Sequence, residues 1–267
     1  VTGAPGAADR ERRSEISAGL RTVRARIAAA CQAAGRDPGE VTLIAVTKTR
    51  PSSDIRLLSE LGVTDVGENR AQEAVAKAAD CASLGLRLSW HFIGQLQVNK
   101  AAAVVSFADV IHSVDRERLV SALGSRARSA GRVVTCLVQA SLDGDAAASE
   151  QAGGEQAGGA ADRGTTARGT PPRGGAAADR VMALADAISA ENGLALGGLM
   201  AVAPLGMPPA EAFARLRDLS ELVRSIHPRA VMISAGMSGD LEQAIEAGAT
   251  HVRVGTALLG GRQAFVR

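Results

Sequence analysis

LIAVTKTR, residues 43–50, is a run of apolar and β-branched side chains, of the kind that fills a sheet, ending on a lysine. An unpaired ammonium in an apolar interior is costly, so such a lysine reaches solvent, finds a counter-ion or gives up its proton. The last course would make Lys48 a nucleophile. With two further residues on its N-terminal side the run reads as a strand, VTLIAVTK (41–48), and period-two alternation puts Thr42, Ile44, Val46 and Lys48 on one side of it.

Outward from this strand, short apolar runs alternate with helical patterns. The strand candidates are TDVGEN (64–69), LSWHFIG (88–94), DVIHSVD (109–115), VVTCLVQASLD (133–143), LALGGLMAVAP (194–204), AVMISAGM (230–237) and THVRVGTALLG (250–260). Helices are expected between them at about 53–61, 71–82, 97–107, 116–130, 176–191, 209–226 and 240–248, with an amphipathic N-terminal helix from Glu11 to Ala34 carrying Ile16, Leu20, Val23 and Ile27 on one face. Eight strands, most of them apolar on both faces, predict a parallel sheet covered all round. A single-domain α/β chain folded as a (β/α)8 TIM barrel with an extra N-terminal helix accommodates that count; an open doubly wound sheet is the alternative.

Residues 1–10 read as a flexible tail, leaving 11–267 for the barrel. Within it, 143–178 is Gly, Ala, Thr, Pro and charge, with AGGEQAGG nearly repeating itself, and is expected to be a disordered, low-complexity insertion. Thirty basic against 28 acidic residues, net +2, with four Phe, one Trp and no Tyr, leave neither a polyanion footprint nor stacking platforms, so no nucleic-acid partner is expected. Cys31, Cys81 and Cys136 stand apart and read as reduced, buried thiols. No apolar stretch approaches a membrane span, and the N-terminal residues lack the apolar segment of a signal peptide; a cytoplasmic protein without membrane partner is expected.

In a barrel, chemistry gathers at the carboxyl ends of the strands, which places Lys48, Asn69, Gly94, Asp115, Met200, the SAGMSG stretch and the RVGT stretch near one mouth. ISAGMSGDLEQAI (233–245) runs from strand through a Gly- and Ser-rich turn into a helix, with Ser238 or Asp240 placed to cap it. VRVGTALLG (252–260) adds a second small-residue turn. Glycine lets backbone approach an oxyanion closely, and the loops after strands seven and eight are the usual phosphate site of this fold. A phosphate anchor facing a strand-end lysine implies an aldehyde-bearing phosphate: pyridoxal 5′-phosphate, or a phosphosugar held as a Schiff base. His91, His112, His227 and His251 lack metal-binding spacing, so no metal is expected, and Ser238 lacks the GxSxG elbow, so no serine hydrolase is expected. His112 reads as a core residue.

LIAVTKTRPSSDI, DVGENRAQEA, WHFIGQLQVNK, IHSVDR, GLMAVAP and ISAGMSGDLEQAIEAGATHVRVGTALLG occur in order from Val41 to Gly260. Together they resemble the YggS/PROSC-type pyridoxal phosphate homeostasis proteins, single-domain barrels related to the barrel domain of bacterial alanine racemase. The resemblance implies that Lys48 holds pyridoxal 5′-phosphate as an aldimine, that Asn69 lies near the ring oxygen side, and that His91 and Met200 line the ring. It further implies that Ser234, Met237, Ser238, Gly255 and Thr256 form the phosphate cradle, and that Arg253 faces the pyridine nitrogen.

A carboxylate beside that nitrogen keeps it protonated and the ring a strong electron sink; a guanidinium cannot accept a proton and favours the unprotonated ring. The related racemase barrel draws its opposing base, a tyrosine, from a second domain, and this sequence contains no Tyr, so that two-base route is not expected within one chain. The implied role is that of a carrier or buffer in pyridoxal phosphate homeostasis without strong catalysis, with pyridoxal phosphate-dependent apoenzymes as recipients and a monomeric state. The alternative is an enzyme with weak racemase or transaminase activity. Arg70 stands after GEN where many relatives have an aromatic residue, and the nearest equivalent of their Lys-x-Gly stretch is Arg173-Gly174-Gly175.

Overall fold

A computed structural model describes residues 7–143 and 174–261. Eight strands, β1 (Thr42–Val46), β2 (Asp65–Glu68), β3 (Ser89–Phe92), β4 (Val110–Val114), β5 (Val134–Gln139), β6 (Leu194–Met200), β7 (Met232–Ser234) and β8 (His251–Val254), close into a barrel in sequence order. Every pairing is parallel, β8 on β1 included. The barrel expectation holds and the open sheet does not: the β8–β1 pairing removes the edges an open sheet would have.

Around it lie α1 (Ala7–Ala33), α2 (Ser52–Glu60), α3 (Ala71–Ser83), α4 (Ala101–Val105), α5 (Glu117–Ser129), α6 (Ala178–Ala190), α7 (Pro209–Ile226), α8 (Leu241–Glu246) and α9 (Thr256–Leu259). Differences from the sequence reading fall at element ends. The N-terminal helix begins at Ala7, inside the stretch read as a tail. The expected strand 250–260 ends at Val254, and its ALL segment turns into α9, because leaving the last ladder frees a small-residue stretch to form a helical turn. The expected helix 97–107 is a 3-10 turn at Val98–Lys100 running into the short α4. Of the 143–178 insertion, residues 144–173 lie outside the described residues. At its far end Ala176 pairs with Ala140, the Ala176 amide donating to the Gln139 carbonyl at 2.7 Å.

Register carries side-chain parity around the barrel. Val46 stands opposite Gly67, Gly67 opposite His91 and His91 opposite Val110; Ile44 stands opposite Arg253, Thr42 opposite His251, and Ser234 opposite both Met200 and His251. These residues face the interior, where Val110, Leu137 and Met200 form a small apolar cluster. The other parity packs on helices: Ala45, Val252 and Val254 join Ile16, Leu20, Val23 and Ile27 of α1 with Leu241, Ile245 and Leu258. Fully burying each of those α1 side chains is worth about 1.5–3 kcal/mol, which seats α1 across the two turns that follow β7 and β8.

Candidate functional site

β1 delivers Lys48 into a turn at the barrel mouth, two residues beyond inward-facing Val46. Lys48 is exposed, and its ammonium meets no hydrogen-bond or ion-pair partner among the described residues. The turn itself is gripped on both sides of the lysine. Before it, Thr47 is fully buried, its carbonyl accepting from Lys77 Nζ at 2.8 Å and its hydroxyl donating to Glu68 Oε1 at 2.7 Å. After it, Thr49 holds a left-handed φ of 64°, a conformation costly for a β-branched residue, and its amide donates to Glu73 Oε1 at 2.9 Å.

Lys77 ties the grip together, its ammonium 2.8 Å from both Glu68 Oε1 and Glu73 Oε1. Burial pushes the Glu68 carboxyl up, while Lys77 and the Thr47 hydroxyl pull it back in part. Burial works on Glu73 in the same sense, yet its bonds from Lys77 and the Thr49 amide hold it below the usual carboxylate range. None of Glu68, Glu73 or Lys77 stood out in the sequence. The signal was there: Ala71, Ala74, Lys77 and Cys81 share the buried face of α3, and a lysine on such a face needs partners.

The turns after β7 and β8 meet each other. Ser238 Oγ accepts from the Ala257 amide at 3.3 Å, and Asp240 Oδ1 accepts from the Met237 amide at 2.6 Å. Neither Ser238 nor Asp240 caps α8 with its side chain; each pins the turn instead, a correction to the capping expectation. From α1, Arg26 donates to the Ser238 carbonyl at 2.9 Å while its guanidinium forks onto Glu242 at 2.6 and 2.8 Å. The amides of Ser238 and Gly239 donate to no described group, and Thr256, first residue of α9, has no intrahelical acceptor for its own. Gly255 reaches the β1 end: a Cβ there would lie 3.3 Å from both Cβ and O of Val46. The lysine turn and the two small-residue turns therefore border one mouth. Met237 is 40% exposed at its rim.

At the next strand end, a Cβ on Gly94 would sit 2.3 Å from the Asn69 carbonyl oxygen, so only glycine lets these two segments touch. The buried Oδ1 of Asn69 has no partner among the described residues.

Below the mouth the barrel interior carries a line of polar side chains beside the apolar cluster of Val110, Leu137 and Met200. Arg253 is 5% exposed; Nη1 donates to Ser234 Oγ at 2.6 Å and Nη2 to the Ala201 carbonyl at 2.9 Å. Burial lowers its pKa to about 10, against a distant pull from Asp240, and it pairs with no carboxylate among the described residues. Ser234 Oγ lies 2.9 Å from His112 Nδ1, His112 Nε2 lies 2.9 Å from His91 Nδ1, and His91 Nε2 lies 3.0 Å from Asp65 Oδ1. Ser234 is thus engaged beneath the mouth with Arg253 and His112, and both nitrogens of His91 are occupied. His112 is completely buried, as the sequence reading expected, but it is a linking residue and not an isolated one. Met200 is 2% exposed and forms part of the floor.

Among the described residues, an exposed amine without a partner, an orphaned buried carboxamide oxygen, free turn amides and a buried guanidinium without a counter-ion can accommodate an anionic, carbonyl-bearing ligand. Residues 162–263 match the family described as "Alanine racemase, N-terminal domain". The chain is 41% identical over 95% of its length to the pyridoxal phosphate homeostasis protein of Mycobacterium bovis, of which it covers 95%, and 38% identical over 93% of its length to that of Pseudomonas aeruginosa, of which it covers 96%. Among solved structures, PipY of Synechococcus elongatus with PLP bound superposes with a TM-score of 0.72 at 32% identity, covering 92% of this chain and 100% of PipY. Alanine racemase from Corynebacterium glutamicum shares the fold, with a TM-score of 0.64 at 11% identity over 96% of this chain and 62% of the racemase.

Proposed function

The chain belongs to the family of pyridoxal phosphate homeostasis proteins, and from that premise we propose that it binds pyridoxal 5′-phosphate across the barrel mouth and serves as a carrier and buffer of that cofactor. The observation that carries the reading is Arg253, a buried guanidinium with two of its five donors used among the described residues and no carboxylate beside it. Such a group fits a neutral ring nitrogen as acceptor and a phosphate nearby as compensating charge.

When bound, pyridoxal 5′-phosphate supplies an aldehyde that condenses with a primary amine, and a ring that withdraws electrons strongly only when its nitrogen is protonated. Lys48 presents the amine, oriented by the grip on Thr47 and Thr49. The amides of Ser238 and Gly239, with Gly255, Thr256 and the Met237 turn, would hold the phosphate. Asn69 offers its free oxygen at the ring edge, and His91 and Met200 close the floor. Arg253 would face the ring nitrogen, from which it cannot take a proton, and Ser234 holds Arg253 in place. A site built this way stores a reactive aldehyde and stabilises a carbanion poorly, which suits transfer to apoenzymes better than amino-acid chemistry.

Purified protein incubated with pyridoxal 5′-phosphate is expected to develop the visible band of a lysine-bound cofactor, and borohydride reduction followed by peptide mass spectrometry is expected to find the adduct on Lys48. The band is expected to be lost in Lys48→Ala; its retention in that variant would overturn the assignment. Incubation with amino acids in deuterated solvent is expected to give no α-carbon exchange.

A further inference from the structure

The chain from Arg253 to Asp65 has only one arrangement of protons that leaves no buried donor stranded. A guanidinium cannot accept, so Arg253 Nη1 donates to Ser234 Oγ. The Ser234 hydroxyl, on a residue with no exposed surface, then donates to His112 Nδ1. His112 must carry its proton on Nε2 and donates it to His91 Nδ1. His91, in turn, carries its proton on Nε2 and donates to Asp65 Oδ1. Each donor points the same way, from a buried cation toward a carboxylate whose side chain is 24% exposed. The opposite arrangement, with His91 as an imidazolium donating to both neighbours, strands the Ser234 hydroxyl proton and adds a second cation to an interior that already holds Arg253.

We propose that Asp65, His91 and His112 are positioning residues that act through Ser234 to hold the Arg253 guanidinium at one orientation in the barrel mouth. Ser234 accepts from Arg253 only while its own proton is directed away, into His112. That direction persists only while His112 is the Nε2–H tautomer, which His91 and ultimately Asp65 enforce. Burial keeps His112 well below the ordinary imidazole range, and the Arg253 charge opposes its protonation as well. Burial would raise the Asp65 carboxyl, but the hydrogen bonds it accepts from His91 and Thr64 hold it below the usual range. A neutral imidazole pair thus runs between a fixed cation and a fixed anion drawn from β2, β3, β4, β7 and β8. The tautomer chain is a property of the protein alone; only what Arg253 touches rests on the function proposed above.

The test has two arms. Long-range 1H–15N spectra of the full chain without ligand near neutral pH are expected to show His91 and His112 as neutral Nε2–H tautomers; either ring protonated on Nδ1, or on both nitrogens, overturns the relay. In the second arm, pyridoxine 5′-phosphate, which lacks the aldehyde and cannot react with Lys48, is titrated against three proteins. Asp65→Ala is expected to bind it about tenfold more weakly than the unsubstituted chain, and Asp65→Asn, which keeps an acceptor oxygen for His91, to bind within about twofold of it. Equal affinity in Asp65→Ala overturns the positioning role, as does failure of Asp65→Asn to restore binding. If the unsubstituted chain binds neither this compound nor pyridoxal 5′-phosphate, the proposed function fails, and the spectra still decide the relay.

Discussion

Lys77 Nζ lies 2.8 Å from the carbonyl oxygen of Thr47, so a side chain of α3 holds the backbone immediately before Lys48. The same ammonium is paired with Glu68, which has no exposed surface. Lys77→Met leaves that carboxylate buried without its cation and is expected to cost about 3–5 kcal/mol in urea denaturation. Adding Glu68→Gln removes the stranded charge and is expected to restore most of the loss. Formation of the Lys48-bound cofactor band is expected to slow in both variants, since both release the Thr47 carbonyl.

Gly94→Ala tests the contact between the β2 and β3 ends. The new methyl would meet the Asn69 carbonyl oxygen at 2.3 Å and Asn69 Cα at 2.7 Å, so the Asn69 segment must move. A loss of about 1–3 kcal/mol is expected by thermal or urea unfolding, together with weaker pyridoxine 5′-phosphate binding. A stability loss with unchanged binding would remove Asn69 from the site.

Asp54, buried at the start of α2, takes two bonds from Arg12, at 3.1 and 2.6 Å, and Arg12 also donates to the Leu259 carbonyl in α9. Arg12→Ala is expected to cost about 2–3 kcal/mol by denaturation, because the carboxylate stays buried without its fork. Arg12→Lys is expected to recover only part of this, a single ammonium being unable to reproduce the planar pair.

Acid should weaken the fold before carboxylates titrate. Burial lowers His251 to about 4, and His112 shifts in the same direction for the same first cause. Between the ordinary imidazole value near 6.5 and the lowered folded value, the unfolded chain binds more protons, so stability falls as pH falls through that window. From pH 6.5 to 5, His251 alone is expected to cost up to about 2 kcal/mol, less whatever its partial exposure screens, with His112 adding to it. Urea midpoints at pH 7, 6 and 5 check the sign; a flat profile would show that these imidazoles titrate alike in the folded and unfolded chain.

Much of the architecture was legible because alternation is a local property. Period-two patterning in 41–48 put Ile44, Val46 and Lys48 on one side before any pairing was known, and the β8–β1 and β1–β2 registers bear out the shared parity of Ile44 and Val46. The boundaries at 250–260 were not legible, since apolar residues stand on both sides of Gly255 and only loss of a ladder partner tells strand from helix there. The grip on the lysine turn was hidden for a related reason: Lys77 is distant in sequence from Thr47, and its placement depends on how α3 seats on β1 and β2.

By itself, the order of residues determined eight inward-and-outward alternating strands, a lysine at the end of the first and small-residue turns after the last two, because each follows from neighbours a few positions apart. Only the closed tertiary structure decided that Ser234 would meet His112 across 122 positions, and that Asp65, His91, His112 and Arg253 would form one line. Parity tells which residues face inward, but register and closure set which of them touch. Both are settled by packing over the whole barrel.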